Sequence, residues 1–511
     1  MFKNHPKGLL AASLANMGER FGFYTMMAIL VLFLQAKFGL SGSNAGIIYA
    51  IFYASIYLLA LVGGLIADKT RKYKGTILAG LITMALGYLF VSIPTPTPVP
   101  SMTLYLAITC FGLLVIAFGN GLFKGNLQAL VGQMYDNEKY QPMRDSGFSL
   151  FYMFINVGAI FAPFAASGVR NWWLSSKGFA YNSDLPAACH QYLSGTITPE
   201  GSAHLTKMAT EADMTGAFSG NMAGFVNSYL DAFATGFHYA FAVAIFAMLI
   251  STVVYVMNKK NFPNPKKVLK KGEVRTEEHA SDAVVLSTEE IKQRMLALFA
   301  VFGVVIFFWF SFHQNGLTLT FFAKEYTLLK IGSMNITAEM FQAANPFFVV
   351  FLTPLIMWLF GWLRSRNMEP STPKKIAIGM FIAALAYVLM AFGSFGLPLH
   401  NEVAAMGGLP EAQKVTPYLL LGTYFIITIA ELFISPLGIS FVSKVAPPQY
   451  QGVMQGGWLG ATALGNQLLF IGAIFYESIP IWATWSIFIV ACLISMTMML
   501  TMLRWLEKIA K

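Results

Sequence analysis

The sequence predicts an all-α membrane protein with twelve transmembrane helices, and three observations carry that prediction. Of its 511 residues, 56% are hydrophobic and only 11% are charged, whereas soluble domains carry roughly 25% charged residues. A water-soluble globule is excluded. Twelve mostly apolar runs are long enough to cross a bilayer, which takes about 20 residues because each backbone polar group must be paired within its own segment. Finally, Lys and Arg are distributed unevenly between the connections.

The runs fall at 8–36, 46–67, 75–93, 102–134, 146–168, 234–257, 294–322, 340–363, 374–397, 415–443, 452–475 and 480–504. The first follows Lys3 and Lys7 as a signal peptide would, but Glu19-Arg20 interrupts it and its apolar character continues to about Leu34. It therefore reads as a membrane helix. The Pro-Thr alternation from Pro94 to Pro100 reads as a short rigid outer turn. The outer connection 169–233 is rich in Gly, Ser, Thr and Ala and receives no function. Residues 258–293 form a charged, Lys-rich link with Pro263 and Pro265. This link divides the chain into an N-terminal six-helix bundle (1–257, with the long outer loop) and a C-terminal one (294–511). Ser287 to Glu290 reads as a capping box opening the seventh helix.

With both termini cytoplasmic, 25 of the 34 Lys and Arg lie on the inner side. The formal charge of +10 thus orients the spans and meets anionic lipid; so few charges build no broad phosphate-binding face, and no nucleic acid is expected. Cys110 and Cys492 fall in apolar runs and Cys189 in a polar loop, so neither a disulfide nor a metal site is expected.

An ionisable group at mid-bilayer costs about 2.5–3.5 kcal/mol on insertion scales, so one that persists should face a partner or a watery cavity. Five qualify: Glu19, Arg20, Lys124, His313 and Glu431. Glu19 and Arg20 are about 100° apart and deep in the first span, where snorkelling rescues neither easily. Lys124 sits near the inner end of its span, where snorkelling to the surface is the bland alternative. His313 is open to a second reading as an interhelical hydrogen-bonder. Glu431 has no adjacent base and must be neutral, paired or solvated. Helix interruptions are expected at Asn156-Val157-Gly158, Asn345-Pro346, Pro354 and Pro436. A cavity with both charge signs suits a small molecule with separate ammonium and carboxylate ends.

Two six-span halves joined by a cytoplasmic link is the layout of the major facilitator superfamily. Gly64-Leu65-Ile66-Ala67-Asp68-Lys69-Thr70-Arg71-Lys72 resembles that superfamily's G-x-x-x-D-[RK]-x-G-x-[RK] signature, with Arg71 where a second Gly is usual. Within it the chain resembles the proton-dependent oligopeptide transporter family over nearly its whole length. The first-span E-x-x-E-R-F-x-Y-Y motif appears as Asn16-Met17-Gly18-Glu19-Arg20-Phe21-Gly22-Phe23-Tyr24, and the fifth-span F-Y-x-x-I-N-x-G motif is intact from Phe151 to Gly158. Further matches are Tyr57, Lys124, Trp309, Gln342 with Asn345-Pro346, Glu431 with Ser435-Pro436, and Trp458.

The resemblance implies the superfamily's twelve-helix fold and proton-driven import of di- and tripeptides by alternating access. It implies no cofactor beyond the coupling proton, a monomer as the working unit, and a multi-pass location in a bacterial inner membrane. By position, Arg20 and Lys124 would hold the peptide carboxylate, and Asn156, Asn345 and Glu431 the amino end. Tyr24, Tyr57, Gln342, Trp309 and Trp458 would complete the binding site. Three positions depart from the pattern: the first Glu of E-x-x-E-R is Asn16, a further Arg of that helix is Met27, and the seventh-span Glu is His313. Glu19, His313 and Glu431 are then the candidates for proton coupling, since a histidine titrates near pH 6.5. The lost acids keep open an uncoupled facilitator or a carrier of another small solute, such as a nitrate-like anion, a glucoside or a peptide-like drug. A receptor or transceptor is the alternative of another class; no nucleophile-base grouping or phosphate loop suggests an enzyme.

Overall fold

The computed structural model describes residues 3–40, 42–182, 185–216, 218, 220–264, 287–335, 341, 343–405 and 409–510. In chain order its helices are α1 (Lys7–Phe38), α2 (Gly42–Thr70), α3 (Tyr73–Ser92), α4 (Met102–Gln133), α5 (Arg144–Ser176), α6 (Leu185–Leu193), α7 (Pro199–Ala212), α8 (Met222–Met257), α9 (Thr288–Phe312), α10 (Thr318–Tyr326), α11 (Ala344–Ser365), α12 (Thr372–Gly393), α13 (His400–Ala405), α14 (Pro417–Val445), α15 (Gln451–Gln467), α16 (Leu469–Ser478), α17 (Ile481–Thr501) and α18 (Leu503–Ile509). Among the described residues, ten helices are individually long and apolar enough to cross a membrane. α1 meets the same test as two segments, Lys7–Leu30 and Leu32–Phe38, that join at 50°. The remaining expected run, 452–475, is divided between α15 and α16.

Several boundaries differ from the sequence reading. Pro354 and Pro436 lie inside the unbroken α11 and α14, and Pro346 falls in the first turn of α11, where a missing N–H leaves nothing unpaired. The seventh span breaks instead at a 3₁₀ turn, His313–Gly316, between α9 and α10. One half of the expected capping box is present: the Ser287 hydroxyl accepts from the Glu290 N–H at 3.1 Å, while the Glu290 carboxylate accepts from Arg294 at 3.0 Å. α9 therefore begins inside the segment assigned to the link, whose residues 265–286, Pro265 included, lie outside the described residues.

The outer connection is shorter than 169–233, because α5 continues to Ser176 and α8 already begins at Met222. What remains is a packed cap carrying α6 and α7. Its His190 Nε2 lies 2.7 Å from the Ala36 carbonyl at the C-terminal end of α1. Burial holds this imidazole below the ordinary histidine range, so the ring is neutral at pH 7 and its Nε2–H donates.

α1 packs on α5 and α8, α3 on α4 and α8, and α2 on α4; in the second half α12 packs on α14 and α17, and α9 on α15 and α17. Large apolar side chains such as Phe164, Phe246 and Phe392 point outward, as a bilayer-facing surface requires.

The two halves meet where α2 crosses α15 and α5 crosses α11 and α14. A Cβ on Gly64 would stand 2.5 Å from the Gly452 carbonyl, so the first signature glycine is there for backbone contact. Asp68 accepts from the Gly452 and Val453 N–H groups at 2.9 Å each, placing a carboxylate on the N-terminus of α15. Arg71 has φ +57°, a conformation that explains the usual glycine, and its guanidinium donates to the Pro448 carbonyl. Overpacking this crossing with Gly64→Ala is expected to cost about 1–3 kcal/mol. The check is a thermal unfolding midpoint lower than that of Gly361→Ala, whose Cβ would enter open space; equal midpoints contradict it.

Candidate functional site

The first half contributes a cationic wall. Arg20 closes on its neighbour Glu19 through two 2.5 Å hydrogen bonds, Nε to Oε2 and Nη2 to Oε1, with the side chains 3% and 0% exposed. Adjacent helical positions diverge by about 100°, but the long arginine side chain spans that angle. Asn120 of α4 donates to Glu19 Oε1 at 2.7 Å, and the guanidinium lies 4.5 Å from the Phe23 ring centre and 5.9 Å from that of Tyr24. Such contacts let a desolvated arginine persist in a membrane.

Lys124 lies one turn beyond Asn120 on the same face of α4. Its Nζ is 5.2 Å from the centre of the Tyr57 ring, and it makes no hydrogen bond or ion pair among the described residues. This side chain is half-buried and directed at an aromatic partner, so it does not snorkel. Tyr57 donates to the Tyr53 hydroxyl at 3.1 Å, and Tyr49 stacks on Tyr53 at 6.1 Å. A tyrosine ladder thus runs along α2 beside the lysine.

An anionic pole lies where α5, α11 and α14 converge. Glu431, 4% exposed, accepts from the Tyr152 hydroxyl of α5 and from Asn345 Nδ2 of α11 at 2.6 Å. Asn345 also donates to Thr428 at 3.0 Å. One turn along α5, Asn156 donates to the Tyr152 carbonyl at 3.2 Å. Glu431 is therefore held by neutral donors, with no cation paired to it among the described residues. Two poles of opposite sign, a buried Glu431 and a half-buried Lys124, suit a ligand with two charged ends.

Aromatic side chains form the remaining wall. Trp309 and Trp458 meet edge-on at 6.5 Å, and Trp458 is seated on Gly438, where a Cβ would collide with its ring at 2.0 Å. His313 stacks on Trp309 at 4.9 Å, with Asn466 of α15 facing the imidazole. It forms no ion pair with Glu431 here. His313 Nδ1 and Trp309 Nε1 lack hydrogen-bond partners among the described residues. At the position of the missing acid, Asn16 is buried with its Nδ2 unpartnered. Gln342 lies outside the described residues.

The structure thus groups Glu19, Arg20, Tyr24, Tyr57 and Lys124, brings Asn345 to Glu431 with Asn156 one turn from its partner Tyr152, and clusters Trp309, Trp458 and His313. The sequence reading missed Tyr152, Asn120 and Thr428. Tyr152 sits inside the intact Phe151–Gly158 motif, and Asn120 is one helical turn from Lys124. Both signals were available; neither residue is ionised in a way that drew attention.

Comparison with known proteins identifies the family. The POT family model, PTR2, matches residues 74–278 and 270–481. The peptide transporter YePEPT of Yersinia enterocolitica is 28% identical over 470 residues, covering 91% of this chain and 87% of that protein. Dipeptide and tripeptide permease B of Aliivibrio fischeri is 26% identical over 462 residues, covering 89% of this chain and 83% of the permease. Among solved structures, the peptide transporter POT in complex with sulfate superposes with a TM-score of 0.59 at 22% identity, covering 100% of this chain and 96% of that one. A POT family transporter in complex with 5-aminolevulinic acid gives 0.58 at 20% identity, covering 100% and 98%. These likenesses show the major facilitator fold. With a family model spanning most of its length, the chain is a multi-pass membrane transporter, not an enzyme, and belongs to the POT family.

Proposed function

We propose that this protein imports di- and tripeptides by alternating access, coupled to protons, from a bacterial inner membrane with both termini cytoplasmic. The observation that carries this reading is the pair of charged poles, Lys124 with Arg20 in the first half and Glu431 with Asn345 in the second. A peptide carboxylate docks at Lys124 and its ammonium at Glu431, where Asn345 and Asn156 supply further acceptors. Tyr24, Tyr57, Trp309 and Trp458 contact side chains through aromatic faces that tolerate many shapes. The names of the relatives support a peptide substrate. So does 5-aminolevulinic acid in a structural neighbour, because that molecule carries an amine and a carboxylate on one short chain.

Proton coupling follows from the Glu19–Arg20 pair. While Glu19 is ionised, both guanidinium faces that reach it are occupied. A proton on Glu19 removes that charge and frees Arg20 to join Lys124 at the peptide carboxylate. His313 takes the place of the family's seventh-span acid with the opposite charge sense: protonation creates a cation, which pairs with Glu431 once Tyr152 has let go in another access state. The protein works as a monomer in this scheme.

Lys124→Gln is expected to raise the KM for dialanine about 10- to 100-fold, the scale of removing one partner of a desolvated charge pair, while Lys124→Arg retains most of the affinity. Uptake kinetics in proteoliposomes check this; an unchanged KM in Lys124→Gln removes the lysine from the site. One observation favours a second reading. Asn16, Met27 and His313 stand where family members carry charged groups, so an uncoupled facilitator would show wild-type uptake that ignores an imposed proton gradient.

A further inference from the structure

Several bonds that join the two halves lie at the basic end of the molecule, and the side-chain donors to one carboxylate there all come from the other half. Asp145, in the first turn of α5, accepts from Lys375 Nζ at 2.9 Å, from the Thr372 hydroxyl at 2.9 Å and from the Ser440 hydroxyl at 2.7 Å. Thr372 and Lys375 open α12, and Ser440 lies on α14. Lys375 is only 1% exposed, and its ammonium is shared with Glu369 at 2.7 Å. Glu369 is in turn gripped by Arg364 through bonds of 2.5 and 2.9 Å. Within the second half Lys375 therefore keeps a carboxylate partner of its own, while Arg364 and Lys375 exceed Glu369 by one positive charge that Asp145, inserted like a plug, neutralises.

That asymmetry decides what separation of the inner ends entails. Pulling α5 away leaves Lys375 paired with Glu369, so the ammonium is never stranded. Asp145 loses three donors together and exchanges them for water. The latch is held by a charge-assisted set of bonds and released without leaving an unpaired buried cation, which would cost much more. Other bonds between the halves lie at the same end: Asp68 with the N-terminus of α15, Gln133 with Gln451 at 2.8 Å and Arg144 with Ser443 at 3.1 Å.

We propose that Asp145 is a positioning residue of the transport cycle: inserted into the Lys375–Thr372–Ser440 socket, it holds the inner end shut, and its withdrawal is required for release of substrate to the inside. This rests on the alternating-access reading above. It adds a residue that neither the charge pattern nor the binding site points to.

The test uses the full chain with Cys110, Cys189 and Cys492 replaced and spin labels at Lys139→Cys and Met368→Cys, exposed positions on the two halves at this end. Distances are measured in lipid nanodiscs without peptide. Asp145→Asn, which keeps the shape and one acceptor oxygen, is expected to shift the population towards the longer inner-end distance about tenfold, the scale of one charge-assisted hydrogen bond. Ser440→Ala shifts it less, and Asp145→Glu restores part of the wild-type distribution. Glu290→Gln, which breaks an ion pair confined to α9, leaves it unchanged. In uptake assays Asp145→Asn lowers the maximal rate and leaves the KM within about twofold, because the binding poles are untouched. An Asp145→Asn distribution that overlays the wild type, while the wild type itself shows two populations, overturns the latch. A wild type with a single population under every condition overturns alternating access instead.

Discussion

Glu431→Gln is expected to reduce dipeptide uptake about 100-fold or more in kcat/KM, with the loss confined to substrates that carry a free amino end. The carboxylate is buried, and its hydrogen bonds come from the neutral Tyr152 and Asn345. In this structure its charge is stabilised without being cancelled. An incoming ammonium supplies the missing cation in a site that excludes water, where truncating one partner of such a pair costs about 2–5 kcal/mol. Glutamine keeps the volume and still accepts from Asn345, so the fold should persist, with an unfolding midpoint close to that of wild type. The signature is a residual rate for N-acetylated dipeptides that equals the wild-type rate for the same compounds. If Glu431→Gln transports dialanine normally, the amino end docks elsewhere.

Glu19→Gln is expected to separate binding from coupling. The variant resembles the protonated state permanently, so Arg20 is released from its two bonds and from the carboxylate that Asn120 also holds. Peptide exchange across a membrane without a gradient should continue, because the carboxylate pole is intact. Accumulation should vanish: one proton per peptide supports about tenfold accumulation per pH unit, and the variant should merely equilibrate. Counterflow and gradient-driven uptake, measured side by side in proteoliposomes, check both halves. Gradient-driven accumulation by Glu19→Gln at the wild-type level would move coupling to His313 or Glu431.

How far the sequence reached depends on the range of the interaction concerned. Membrane helices are local objects, so their apolar runs and the Ser287 cap were legible. So was the meaning of Gly64 and Asp68, since a glycine and an acid one turn apart describe a close crossing whatever the partner. The ends of α5 and α8 were misplaced because hydropathy marks the bilayer, and both helices continue beyond it through polar residues. Prolines misled for a related reason: packed helices absorb Pro354 and Pro436 without breaking. Motif and misplaced charge nominated individual candidate residues, but their pairing was not legible. Adjacent Glu19 and Arg20 give no hint that they bind each other in preference to a ligand, and Tyr152 meets Glu431 279 positions away. Asp145 and Lys375, 230 positions apart, are ordinary helix-end charges until the fold joins them.

The central claim is that opposite poles clasp the two ends of one short peptide. Its most direct test is the unfolding midpoint of the purified protein with dialanine, N-acetyl-dialanine and dialanine amide, each across a concentration series. A ligand at about 100 times its Kd stabilises the folded state by about 2.7 kcal/mol, so dialanine should raise the midpoint by several degrees at millimolar concentration. The acetylated and amidated compounds, each lacking one charge, should leave it nearly unmoved. Equal shifts from all three, or a shift from none of them, would contradict the account.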